Sequence, residues 1–259
     1  MKNRIFTHFY GYISQIIEKV TDILLPKEEK VRFLENLNPD GLFSSIPQAD
    51  NFDFKTEKIK AIFNYKTALC RQAIWEIKYR ANKKLIRDFS LLLYEYILEE
   101  LGDLETFNNF RQPILIPIPS SRSREREKGF NQCLLITNEL IKIDQERNGK
   151  NFTTLENFLI KKEDTVHQAR VSNRKMRLKN LINTFSINEK ARPSSGNCLR
   201  AIRFPLSVEA FSGAQPLDSL SFIIIDDVIT TGATMAEAFR ALHSAGIPLH
   251  KIRGFALAH

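Results

Sequence analysis

The stretch Phe222-Ile-Ile-Ile-Asp-Asp-Val-Ile-Thr-Thr-Gly-Ala-Thr234 leaves few choices of fold. Phe222 to Ile225 is apolar without alternation, so an extended segment here buries both faces, the condition of a central strand in a parallel sheet covered by helices on both sides. Asp226 and Asp227 follow at once, then a turn from Asp226 to Thr234, then a helical run from Met235 to Ala245 that Gly246 is placed to cap. In that order the turn sits at the carboxyl edge of the sheet, where open α/β sheets bind ligands.

Upstream, strand, loop and helix keep alternating. Ala61-Ile62-Phe63 reads as a strand, Ala68 to Tyr79 as a helix, and Leu85 to Leu101 as a second helix stopped by Gly102. Ile114-Leu115-Ile116 reads as a strand, followed by Pro117-Ile118-Pro119, a basic loop, and a helix entered through Phe130-Asn131-Gln132 and closed by the polar run Asp144–Lys150. Phe158-Leu159-Ile160 is a further buried-strand candidate, and a last strand lies near Ile252–Leu257. Residues 188–220 hold Pro193, Gly196, Gly213 and Pro216 without sustained periodicity and read as an insertion. Alternation of this kind needs crossover connections and therefore a parallel sheet. The expected architecture is α/β, with a helical N-terminal extension over residues 1–58, in which Pro39-Asp40-Gly41 marks a turn, and one sheet domain over residues 59–259.

The N-terminal stripe Ile5, Phe9, Ile13, Ile16, Val20 and Leu24 is interrupted by Arg4, Glu18, Lys19 and Asp22, which excludes a membrane span or a signal segment and suits packing on the protein's own core. Cys70, Cys133 and Cys198 form no C-x-x-C pair, so neither a zinc ribbon nor a disulfide framework is expected, and a reducing cytoplasm fits. The net charge of +8 resides in two segments: residues 111–128 carry +3 and residues 161–180 carry +5. Two basic segments suit a polyanionic ligand held between them, or equally a pair of solvated arginine-rich loops. G-x-G-x-x-G, Walker A and H-E-x-x-H motifs are absent. His167 is a lone loop histidine, and Cys133, opening a helix, reads as packed rather than nucleophilic.

Two carboxylates at a strand end can accept hydrogen bonds from vicinal sugar hydroxyls or face a divalent metal through water. Thr230, Thr231, Gly232, Ala233 and Thr234 then offer hydroxyls and free backbone N–H groups at a helix start, a cradle for phosphate that Gly232 lets approach closely. Together they describe a site for a ribose 5-phosphate. The plainer alternative has Thr230 or Thr231 capping the helix over a solvated Asp pair.

Residues 224–234 resemble the signature of the type I phosphoribosyltransferases. Further stretches resemble one branch, the competence protein F (ComF) family: Trp75-Glu-Ile-Lys-Tyr79, Ile116-Pro-Ile-Pro119, Lys128-Gly-Phe-Asn-Gln132, Thr165-x-x-Gln168, Arg177-x-x-Asn180 with Phe185, and Ala256-Leu-Ala-His259. The similarity runs from about Tyr65 to His259. It implies a type I phosphoribosyltransferase-like sheet flanked by helices that binds 5-phosphoribosyl-1-pyrophosphate with magnesium. It further implies that Asp226 and Asp227 hold the ribose hydroxyls and that Thr230–Thr234 hold the 5-phosphate. Ser120, Ser121 and Arg122 would cradle the pyrophosphate, helped by Lys128, and Arg174 and Arg177 would lie in a hood closing over the site from Thr165 to Asn180. Catalytic roles fall to Asp226, Asp227, Arg122 and Arg177, with no residue assigned as a direct metal ligand and magnesium arriving with the substrate. Three departures from the pattern stand out. The four-cysteine ribbon common at the family's N-terminus is missing, Lys128 replaces the usual arginine, and Thr230 stands where purine-salvage relatives carry an aspartate.

Two functions follow as expectations. The first is an enzyme that transfers phosphoribose to an unidentified nitrogen acceptor. The second is a non-catalytic accessory of competence and DNA uptake that binds nucleotide, DNA or proteins of the uptake machinery. A homodimer is compatible with either.

Overall fold

The computed structural model describes residues 27–49, 58–108, 110–161, 184–188 and 220–259. The N-terminal stripe, most of the second basic segment with its hood, and nearly all of the 188–220 insertion lie outside those residues. Among the described residues, seven α-helices flank a five-stranded parallel sheet, the α/β architecture expected of a type I phosphoribosyltransferase-like chain. None of the described helices is long and apolar enough to cross a membrane.

Helices α1 (Lys27–Asn36) and α2 (Pro39–Ser45) open the chain. The turn expected at Pro39-Asp40-Gly41 is instead the first turn of α2. Pro39 occupies a position that needs no N–H donor, and the Asn38 side chain caps the helix by accepting from Gly41 N at 2.8 Å. Leu34, Leu42 and Ile46 sink into the same core as the sheet domain.

Strand β1 (Ile59–Phe63) leads to α3 (Ala68–Arg80) and α4 (Lys83–Asn108). Gly102 does not stop α4. A mid-helix glycine costs only about 1 kcal/mol relative to alanine, and Leu101 and Leu104 on either side of it pack against the core and hold the helix on course.

Strand β2 (Ile114–Pro117) is followed by α5 (Arg122–Lys128), α6 (Gln132–Glu146) and the two-residue strand β3 (Thr153–Thr154). The first basic segment is therefore helical where a loop was expected. β4 (Leu159–Lys161) pairs antiparallel with β5 (Phe185–Ile187) in a separate ribbon, and Ile160 is 41% exposed, so this run is not a strand of the main sheet. Finally come β6 (Phe222–Val228), α7 (Ala233–Ser244) and β7 (Ile252–Ala258).

The sheet order is β1-β7-β6-β2-β3, with β6 in the middle. Along β6, Ile223 and Ile225 join the core formed with Phe89, Leu115, Ile136 and Leu140. Phe222 and Ile224 join the opposite one, with Ile114, Ile116, Phe239 and Leu242. Continuous apolarity thus reflects burial on both faces, as read from the sequence.

The chain leaves β2 through α6 toward β3 at one edge, and leaves β6 through α7 toward β7 on the other side. α6 belongs to the first core and α7 to the second, so the two connections pack on opposite faces. The direction of winding therefore reverses between β2 and β6, and a crevice opens there at the strands' carboxyl ends.

Candidate functional site

β6 extends through Val228, so Asp226 and Asp227 are strand residues rather than the start of a turn. Asp226 and Asp227 are 7% and 4% exposed. Asp226 Oδ1 accepts the Asp227 backbone N–H at 2.9 Å and the Cys133 thiol at 3.4 Å. Asp227 Oδ2 accepts from Gln132 Nε2 at 3.4 Å and pairs with Lys78 Nζ at 3.3 Å. Ligand atoms of Cys133, Asp226 and Asp227 lie within 4.8 Å of one another.

Burial, and then the neighbouring Asp227 charge, hold the Asp226 carboxyl well above its ordinary value. Burial pulls the Lys78 ammonium down, but attraction to Asp227 outweighs it and leaves Lys78 above the usual lysine value. Burial, then Asp226, push the Cys133 thiol well up, so it is a packed group and not a nucleophile.

Beyond β6 the chain turns into α7. Asp226 and Val228 through Met235 line a cavity of about 210 Å³ including its open mouth, with Thr230, Thr231, Gly232, Ala233 and Thr234 forming its rim. Ile229 N donates to Ala258 O at 2.9 Å and pins the turn to β7. Gly232 is the N-cap at φ 72°, a conformation that favours glycine, and the Thr231 hydroxyl before it accepts from Ala233 N at 3.4 Å, a long bond at the first N–H of α7. The other N–H groups of the first turn and the positive dipole end of the helix are presented to the cavity. Gly254 on β7 lets α7 approach the sheet: a Cβ there would stand 2.7 Å from Met235 Sδ.

The segment after β2 starts beside the end of β6, where Ile118 N donates to Ile225 O at 2.9 Å. Asn131 Nδ2 holds Ile118 O at 3.0 Å while its side-chain oxygen caps α6 by accepting from Cys133 N at 3.0 Å, so one residue fixes both the loop and the helix start. Ser120 Oγ donates to Glu125 Oε1 at 2.7 Å, and the hydroxyls of Ser121 and Ser123 lie 3.1 Å apart. The Lys128 ammonium sits 4.3 Å from the Tyr79 ring centroid. Burial, then the nearby Lys78, lower its pKa.

The structure therefore brings Asp226 and Thr230–Thr234 onto one cavity, with Asp227 turned to Lys78 and Gln132 beside it. Arg174 and Arg177 lie outside the described residues, as does the side chain of Arg122. Lys78, Asn131 and Gln132 belong to stretches that carry the family resemblance, yet the sequence assigned them no role. Their polarity within buried surroundings was the available signal.

Magnesium prefers hard oxygen donors and keeps much of its water. A buried protonated thiol and a carboxylate already paired with an ammonium do not suit direct coordination.

No family model matches the chain. It is similar to competence protein ComFC of Bacillus subtilis (strain 168), with 23% identity over 209 residues that cover 69% of this chain and 68% of that one. With the stretches quoted above, this similarity supports membership of the ComF family.

Proposed function

We propose that the chain binds 5-phosphoribosyl-1-pyrophosphate with magnesium and transfers its phosphoribosyl group to a nitrogen acceptor. The observation that carries this reading is the cavity shared by the Asp226 carboxyl and the N-terminal turn of α7, at the crevice where the sheet's winding reverses. A carboxyl at one end and N–H donors at the other match a sugar hydroxyl and a 5-phosphate. In the reaction the C1–O bond to pyrophosphate breaks, a C1–N bond forms with inversion, and the nucleophile's proton leaves with solvent or pyrophosphate.

Asp226 orients the ribose by hydrogen bonding to a hydroxyl. Arg122 and Lys128 are assigned to the pyrophosphate, with Ser120 and Ser121 in the loop that would cradle it. Arg174 and Arg177 are assigned to the hood that excludes water. Magnesium, when bound, neutralises the pyrophosphate and makes it a better leaving group. Two buried free thiols, Cys70 and Cys133, suit a cytoplasmic setting.

Calorimetric titration with magnesium and phosphoribosyl pyrophosphate tests the reading. Micromolar binding is expected, weakened roughly 10- to 100-fold in Asp226→Asn, the range for losing a hydrogen bond to a charged group. No heat from the wild-type chain would remove it.

One observation favours a second reading, an accessory role in DNA uptake like that implied by the relative's name. Trp75 and Tyr79 on α3 are 43% and 50% exposed, their ring centroids 5.5 Å apart, with Arg80 5.0 Å over the former and Lys128 over the latter. Exposed rings flanked by cations make a stacking platform for single-stranded nucleic acid. Fluorescence anisotropy with labelled oligothymidylate should then show salt-sensitive binding, weakened about tenfold in Tyr79→Ala. An absence of binding at low salt would discard this reading.

A further inference from the structure

We propose that Lys78 is a positioning residue for the acidic pair: by holding Asp227 it gives the two adjacent carboxylates different tasks and leaves Asp226 alone to face the sugar. The inference rests on the sugar-phosphate reading of the cavity and departs from the expectation that both aspartates hold ribose hydroxyls.

Three observations carry it. The two carboxylates lie close together but keep different company, with Asp226 lining the cavity and Asp227 held by Lys78 and Gln132. Both are almost fully buried, and two neighbouring carboxylates cannot ionise together in such surroundings without a cation. Among the described residues, Lys78 is the only cation in an ion pair with either of them.

Lys78 is also well placed for the work. It stands near the end of α3, one residue from Tyr79, whose ring carries the Lys128 ammonium. Its side chain is 30% exposed, so the pair lies at the rim of the crevice rather than deep in the core. With the ammonium removed, Asp227 is left buried and unpaired beside Asp226. Its negative charge then opposes any anionic ligand entering the cavity and any charge on Asp226.

A mutant cycle tests this on the full chain, read by calorimetry with magnesium and phosphoribosyl pyrophosphate and, separately, by thermal melting without ligand. Lys78→Met keeps the apolar stem and removes the charge. It should weaken binding about tenfold and lower the melting temperature, an effect expected of an orphaned buried charge. Asp227→Asn added to Lys78→Met should restore both properties to near wild type, and Lys78→Arg should retain them. Asp227→Asn alone should weaken binding far less than Asp226→Asn.

A structural role for the lysine stem would show no rescue by Asp227→Asn, and that result would overturn the proposal. So would Asp227→Asn weakening binding as much as Asp226→Asn does, because Asp227 would then touch the sugar itself. The melting cycle needs no ligand, which separates two failures. Melting-temperature coupling in a chain that binds no phosphoribosyl pyrophosphate sinks the functional reading and keeps the positioning. Binding without coupling sinks the positioning alone.

Discussion

Asp226→Asn is expected to make the folded chain more stable at pH 8 while destroying the site that Asp226 serves. The wild-type carboxyl is buried beside Asp227, and both effects raise its pKa in the folded state above the ordinary value of 3.8. From about that value upward, the folded chain therefore holds a proton that the unfolded chain has released. Stability attributable to that proton is complete below the unfolded value and is lost as pH rises through the folded one.

Asparagine is nearly the same size, keeps an oxygen for the Asp227 N–H and the Cys133 thiol, and does not titrate. The mutant should gain on the order of 1–2 kcal/mol at pH 8, or about 3–6 °C in melting temperature for a chain of this size. Toward pH 4 the gain should shrink to nothing. Melting curves of both proteins at pH 4.5, 6 and 8 check this, and a difference that stays flat with pH would exclude the carboxyl as its source. A gain in stability paired with a loss of binding is the pattern of a group kept for function at a structural cost.

The parts of this site that depend on local pattern were readable in the sequence. The apolar run Phe222–Ile225 gave away a central strand, and the order of carboxylates, hydroxyls and glycine gave away the turn into α7. The length of β6 was not readable, because the strand continues through Asp226, Asp227 and Val228, beyond the point where the apolar run ends. Asp227 is 149 positions from Lys78 and 95 from Gln132, so only the tertiary fold brings them together. α5 was hidden for a different reason. Arg122-Ser-Arg-Glu-Arg-Glu-Lys128 has no apolar position, so it carries no periodicity for a reader to detect. Gly102 misled because its neighbours' packing outweighs its propensity, and β3 escaped because two threonines carry too little pattern to mark a strand.

The largest loss of stability is expected from Asp144→Ala, at a residue that the sequence places in a polar run and the fold buries almost completely. Asp144 Oδ1 accepts from Tyr94 Oη at 2.9 Å and Asn151 Nδ2 at 2.7 Å, and Oδ2 accepts from Asn151 N at 2.9 Å and Phe152 N at 3.4 Å. One carboxylate thus ties α4 to the end of α6 and to the chain entering β3. Gly149 belongs to the same knot, since a Cβ there would fall 2.1 Å from Asp144 Oδ1. Alanine leaves four donors without their acceptor, at about 1–3 kcal/mol for each one that water cannot reach. A total near 3–5 kcal/mol is expected, lowering the melting temperature by about 10 °C. Tyr94→Phe removes one donor and leaves the carboxylate otherwise satisfied, so it should cost only about 1 kcal/mol. Asp144→Asn should fall between them, because its amide nitrogen replaces one acceptor with a donor facing other donors. α6, a helix of 15 residues and roughly 20 Å, runs from Asn131 and Gln132 at the crevice to this knot near its other end. Ligand affinity, measured below the melting transition, should therefore change much less than stability. Equal melting temperatures for Asp144→Ala and Tyr94→Phe would show that water already satisfies these donors and that the knot holds nothing together.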